Sequence, residues 1–202
     1  MADYDVFSAL AAALHDGTPC ALLLVTESRG SSPGKTGALM AMDTRGALAG
    51  SVGGGLVESQ LIGMIPAILA SDRLTPHVQT FVHRHDDAFA SGMICGGQQQ
   101  VAIVPVHPPQ QKDIAGVARR LDAGERVTWT VGNNGWQLAP QEAPEGFRQR
   151  DDTTWSCTHR SGPSHDVVLI GGGHISLALS AVLRPLEFRV TVIEERDHIA
   201  SF

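Results

Sequence analysis

Val167-Val168-Leu169-Ile170-Gly171-Gly172-Gly173-His174-Ile175-Ser176 decides the fold class. Four branched apolar residues run into three glycines. A helical pattern then continues to about Arg184, and Arg189 to Ile193 supplies a second apolar run. The order is strand, glycine turn, helix, strand. Gly171, Gly173 and Ser176 fall on the three positions of a dinucleotide-binding turn, with Ser in place of the last Gly. Small residues there let backbone amides and the helix N-terminus approach a pyrophosphate. Glu194 and Glu195 end the next strand, about 20 residues on, where a ribose-binding acid is expected. Glu194 is the candidate ribose ligand, and His174 shapes the turn. Tight packing alone also calls for small residues in such a turn, so both readings stay open.

The 202 residues give room for one domain or one and a fraction, at about 150 residues per domain. Hydrophobic residues at 43% and charged residues at 18% exclude a disordered or fibrous chain. A net charge of -6 argues against nucleic acid or an anionic membrane surface as the main partner. Asp3 and Asp5 stand where a secretory peptide needs positive charge, and the apolar stretches around Leu22 and Ile62 fall short of a span. A cytoplasmic protein is expected. Cys20, Cys95 and Cys157 are odd in number, widely spaced and contain no CxxC pair, which excludes a disulfide framework or zinc knuckle.

Upstream, Asp3 can cap a helix with apolar positions Val6, Leu10, Ala13 and Leu14 that ends at Gly17. A buried strand follows from Cys20 to Thr26, then a loop from Arg29 to Gly37 and a hairpin of Ala38–Asp43 with Ala47–Ser51. Val57, Leu61, Ile65 and Ile68 share a helical face that Pro66 should kink or end early. Strands are expected at His77–His83 and Gln98–Val106, a helix near Asp113–Leu121 and a hairpin at Asn133-Asn134-Gly135. The fold class is therefore α/β. A mixed N-terminal domain occupies residues 1–139, and a polar linker or irregular crossover follows at 140–164. The first strand-helix-strand part of a Rossmann-like domain lies at 165–202. One such unit leaves apolar surface and strand edges uncovered, so a truncated form, or a tail pairing with another chain in a dimer, is expected.

Several stretches offer chemistry. Gly30-Ser31-Ser32-Pro33-Gly34-Lys35-Thr36 has only three residues between its first two glycines and continues into a strand pattern, so it is not a Walker phosphate loop. Its hydroxyls, amides and Lys35 still suit an anion; a Pro/Ser turn with a solvated lysine is the other reading. Ser51 to Gly55, with Gly53, Gly54 and Gly55 in a row, leads from a strand into a helix and forms a second phosphate-sized cradle. Glu58 in the first turn of that helix either complements the dipole or acts as proton acceptor to a ligand ring. Gly92-Met93-Ile94-Cys95-Gly96-Gly97 sets a thiol among glycines, where amides favour a thiolate and a soft metal can approach. Cys95 is thus either a catalytic or metal-binding sulfur or a small buried hydrophobe. Cys20 is expected in the core. His83, His85, Asp86 and Asp87 resemble a metal cluster in composition only and read as a solvated loop.

The order of these motifs resembles the xanthine dehydrogenase accessory protein family, XdhC/CoxI. The resemblance rests on Thr26 to Pro33, Gly37-Ala38-Leu39-Met40, Gly50 to Gly55 with Glu58, Asp86-Asp87, Gly92 to Gly97, and Ile170 to His174 with Glu194-Glu195-Arg196. It implies an accessory protein, more a maturation chaperone than a turnover enzyme. Such a protein binds molybdenum cofactor, promotes its sulfuration with a cysteine desulfurase and passes it to an apo-molybdenum hydroxylase resembling xanthine dehydrogenase. It implies that Gly30, Ser31, Ser32, Lys35, Gly53 to Gly55, Gly96, Gly97 and the Gly171 turn hold phosphate and pterin, while Cys95 approaches the molybdenum. A homodimer is expected. Leu56 stands where many relatives have a cysteine, and Gly34-Lys35 replaces a commoner arginine-containing sequence. An NAD(P)-dependent oxidoreductase and a nucleotide-responsive protein-binding scaffold are the rival readings.

Overall fold

Cys20-Ala21-Leu22-Leu23-Leu24-Val25 is apolar at every position, and a strand with no polar alternation must be covered on both faces. The computed structural model, which describes residues 2–71, 75–83, 97–151 and 154–196, places this run in β1 (Cys20–Gly30). β1 is the middle of an antiparallel sheet with β2 (Leu39–Asp43), β3 (Gly46–Gly50), β4 (His77–His83) and β5 (Gly97–Val106), in the order β3-β2-β1-β5-β4. Period two divides the run between two cores. Cys20, Leu22 and Leu24 pack toward α1 (Ala2–His15), α3 (Gln111–Asp122) and a second sheet, whereas Ala21, Leu23 and Val25 pack toward α2 (Gly55–Leu69).

Two helix expectations need correction. Asp3 lies inside the first turn of α1 rather than before it, where its carboxylate still meets the positive end of the helix. Pro66 does not end α2 early: the helix continues to Leu69. The buried row Val57, Leu61, Ile65 and Leu69 spans the proline, so continued burial outweighs the one backbone bond Pro66 cannot make.

The second sheet corrects the expected linker. Residues 140–164 contain β8 (Gly146–Gln149) and β9 (Trp155–Ser161), which join β6 (Val127–Gly132) and β7 (Gly135–Leu138) in the order β7-β6-β9-β8. Trp155, Cys157 and Ser161 are buried on one face of β9, a period-two signal hidden because none of the three is aliphatic. Trp129 of β6 is fully buried, meets Phe7 of α1 edge-on at 5.7 Å and donates its Nε1 hydrogen to Ser161 Oγ at 3.0 Å. The hairpin at Asn133-Asn134-Gly135 joins β6 to β7 as its sequence demands.

β10 (His165–Ile170), α4 (His174–Leu183) and β11 (Phe188–Ile193) form the strand-helix-strand unit, its strands parallel. The expected α/β class, with an N-terminal mixed region followed by a parallel strand-helix-strand unit, is thus observed. One face of this pair is half-covered; on the other, Val168, Ile170 and Ile193 are exposed. The structure is anchored instead on β1. Leu23→Ala should cost about 3 kcal/mol through the cavity left between β1 and α2, read as a lowered midpoint in urea denaturation.

Candidate functional site

Gln98, Gln99 and Gln100 follow one another in β5, and only the middle one points into the core, where it is fully buried. Its Oε1 accepts hydrogen bonds from Ser32 Oγ at 2.7 Å and the Gly34 amide at 3.0 Å, and its Nε2 donates to the Val52 carbonyl at 3.0 Å. One amide thereby ties the 31–37 loop to the 51–55 turn. The approach is close enough to require glycine: a Cβ on Gly53 would lie 2.4 Å from the Gly34 nitrogen, and one on Gly97 2.7 Å from the Ser32 nitrogen. The candidates Gly30, Ser31, Ser32, Gly53 and Gly97 are therefore brought together, with Gly30 and Gly97 paired across β1 and β5.

Glu58 sits at the back of this arrangement. Its Oε1 accepts from Ser51 Oγ at 2.7 Å, the Val52 amide at 3.0 Å and the Gly54 amide at 2.8 Å. The Gly53 amide turns to Ser51 Oγ at 3.2 Å. Gly53, Gly54 and Gly55 all have positive φ, which lets the turn curl around the carboxylate. The amides that an external phosphate would use in this turn are thus taken from within, and the Glu58 oxygen acts as a positioning group for the turn.

The loop's outer side is open. Lys35, Thr36, Gly37 and Ala38, with Gly50 and Ser51, line a cleft of about 1020 Å³ whose other walls carry Glu145, His159, Arg160, Asp166 and Glu187. His159 packs against Gly37, stacks edge-on over Trp129 at 5.1 Å and has its Nε2 3.9 Å from Asp3. Arg160 lies 3.7 Å from Glu145. Asp166 clasps Arg189 at 2.7 Å and Arg126 at 3.1 Å, joining the strand-helix-strand unit to the second sheet. The hydrogen bond from Arg189, then that from Arg126, holds the Asp166 carboxyl below its ordinary range. Gln99, His159, Arg160, Asp166 and Glu187 were not singled out from the sequence. Gln99 stands between Gln98 and Gln100, so no contrast with its sequence neighbours marked it out.

The Gly171 turn lies elsewhere. His165 and Asp166 at the start of β10 face the cleft, and Gly171 follows the end of the same strand, about 3.3 Å further per residue. The structure therefore does not bring Gly171, Gly173, His174 and Glu194 to the cleft. Within that turn Glu194 accepts the Gly172 amide at 2.6 Å and is bound by Arg196 at 2.7 Å, which holds it well below the usual carboxylate range. Ser176 Oγ donates to the Gly171 carbonyl, and His174 is the exposed first residue of α4.

Cys95 and Gly96, with His85, Asp86 and Asp87, lie outside the described residues. Burial pushes the Cys20 thiol up to about 11 and, with the charge of Glu145, the Cys157 thiol up to about 12; both are inert core sulfurs. Among the described residues, no group of His, Cys, Asp and Glu has a metal-binding arrangement, and no helix is long and apolar enough to cross a membrane.

Residues 13–81 match the XdhC and CoxI family. The resemblance is borne out over that stretch, which contains the whole 31–37 loop, the 51–55 turn and Glu58; the Gly92 to Gly97 and Gly171 motifs lie beyond it. The fold is shared with a crystal structure of a xanthine dehydrogenase from Bacillus halodurans, at TM-score 0.69 and 20% identity over 95% of this chain. The chain spans 62% of the length of that structure. No curated protein matches the chain.

Two consequences can be measured. Gln99→Leu leaves the Gly34 amide and Val52 carbonyl buried without partners and should cost about 3 kcal/mol in chemical denaturation. Asp166 contributes stability fully above the ordinary aspartate value of about 4 and loses it as pH falls through its lowered folded-state value. The melting temperature of the parent should therefore fall more steeply on acidification than that of Asp166→Asn.

Proposed function

We propose that this chain is an accessory protein that holds molybdenum cofactor as cargo for a molybdenum hydroxylase resembling xanthine dehydrogenase. One observation carries the reading: the Gln99 amide ties the 31–37 loop to the 51–55 turn from behind, and the adjoining residues Lys35 to Ala38, Gly50 and Ser51 line a cleft of about 1020 Å³. That volume lies at the upper end for small-molecule sites, large enough for a tricyclic pterin with its phosphate. Lys35 and Thr36 offer a cation and a hydroxyl from the same wall.

On this proposal Cys95 supplies the soft sulfur that approaches the molybdenum, since thiolates suit that centre. Sulfuration by a cysteine desulfurase, transfer to the apo-hydroxylase and a homodimeric state belong to the same reading. The NAD(P)-dependent alternative has less support, because the carboxylate of Glu194 is already engaged by the Gly172 amide and Arg196. A protein-binding scaffold would leave the cleft without a role.

Cofactor retention tests the proposal. The purified chain is mixed with molybdenum cofactor, free ligand is removed, and bound molybdenum is measured for the parent and for Cys95→Ala. Stoichiometric retention by the parent and a clear loss in the variant are expected. Background retention by the parent overturns the cargo reading, and equal retention by both removes Cys95 from it.

A further inference from the structure

The charges around the cleft are almost all paired. Asp166 is held by Arg126 and Arg189, Arg160 lies beside Glu145, and His159 is near Asp3. Two groups remain, of opposite sign and on different walls. Lys35 projects from the loop between β1 and β2, and Glu187 stands immediately before β11; neither forms an ion pair among the described residues. Glu187 is also the one described non-glycine residue with positive φ, at 63°. Side chains other than Asn, Asp and His seldom take that conformation. Its backbone is fixed there: its carbonyl accepts from the Ser164 amide at 2.9 Å, and its amide donates to Arg184 at 3.2 Å. The start of β10 and the turn before β11 thus hold Glu187 at the rim of the cleft.

We propose that the cleft recognises its ligand at two ends, Lys35 taking a phosphate and Glu187 taking a 2-aminopyrimidin-4-one edge. That edge presents two adjacent N–H donors, which a carboxylate accepts side by side, and an ionised carboxylate accepts without donating. The ammonium of Lys35 is a compact partner for a phosphate. This inference rests on the cargo reading above and adds to it the orientation of the pterin, its pyrimidine ring toward the strand-helix-strand unit and its phosphate toward the loop. A guanine nucleotide carries the same edge and a phosphate, so it is the chemical competitor.

The test uses the full chain and four probes: the fluorescent oxidised phosphopterin prepared from the cofactor, the same pterin after phosphatase treatment, GMP, and inorganic phosphate. Affinities are measured by fluorescence titration, with the non-fluorescent probes as competitors, for the parent, Lys35→Gln and Glu187→Gln. Both positions are exposed, and unchanged melting curves confirm that the variants fold. Removing the phosphate should weaken parent binding about tenfold, the scale of one charge-assisted hydrogen bond. That penalty should nearly vanish in Lys35→Gln. Glu187→Gln should weaken both pterins about tenfold. Equal loss of both pterins in Lys35→Gln, or no effect of Glu187→Gln, overturns the two-ended arrangement. Tighter binding of GMP than of phosphopterin overturns the pterin assignment. If the parent retains molybdenum cofactor while neither variant alters phosphopterin affinity, the orientation fails and the cargo reading stands. If the parent retains no cofactor and binds no phosphopterin, both fall.

Discussion

The buried amide of Gln99 is the interaction on which the geometry of this protein's cleft depends. It satisfies a hydroxyl and an amide in one loop and a carbonyl in another, and its bonds to the amide and the carbonyl are buried. The close contacts at Gly34, Gly53 and Gly97 are consequences of the same convergence, because three backbone segments share a space with no room for a Cβ. Glu58 performs the matching task one layer further out. Its carboxylate points back into its own turn and takes the Val52 and Gly54 amides, while Ser51 Oγ takes that of Gly53, so the outer surface of the neighbouring loop is left to meet a ligand.

This clamp is built on a rigid support. β1 is covered on both faces, by α2 on one side and by α1, α3 and the second sheet on the other, so the ends of β1 and β5 that carry the clamp cannot shift without opening a core. The strand-helix-strand unit is attached differently. Its polar connection to the second sheet is the Asp166 clasp, and one face of its sheet exposes Val168, Ile170 and Ile193. One wall of the cleft is thus fixed by a core, and the other is held across to Arg126 by an ion pair worth about 1 kcal/mol or less.

Particular residues show where the sequence was legible. Wherever local chemistry is strong, the elements follow it: the glycine turn after Ile170, the Asn133-Asn134-Gly135 hairpin and the apolar run of β1 all form as their patterns require. The second sheet was obscured because Trp155, Cys157 and Ser161 do not read as a hydrophobic alternation, although they are buried in one. Pro66 misled in the opposite direction, since a local penalty was outweighed by a buried row that only packing reveals.

The amino-acid order by itself determined the α/β class, the family resemblance and the glycine-rich stretches, because these are properties of neighbours along the chain. Only the tertiary structure decided which stretches meet. It joined the 31–37 loop to the 51–55 turn through Gln99, turned Glu58 inward, and set the Gly171 turn at the far end of β10 from the cleft. The reason is physical: a hydrogen bond between residues 34 and 99 depends on the register of β1 against β5, and no local pattern in either segment encodes that distance.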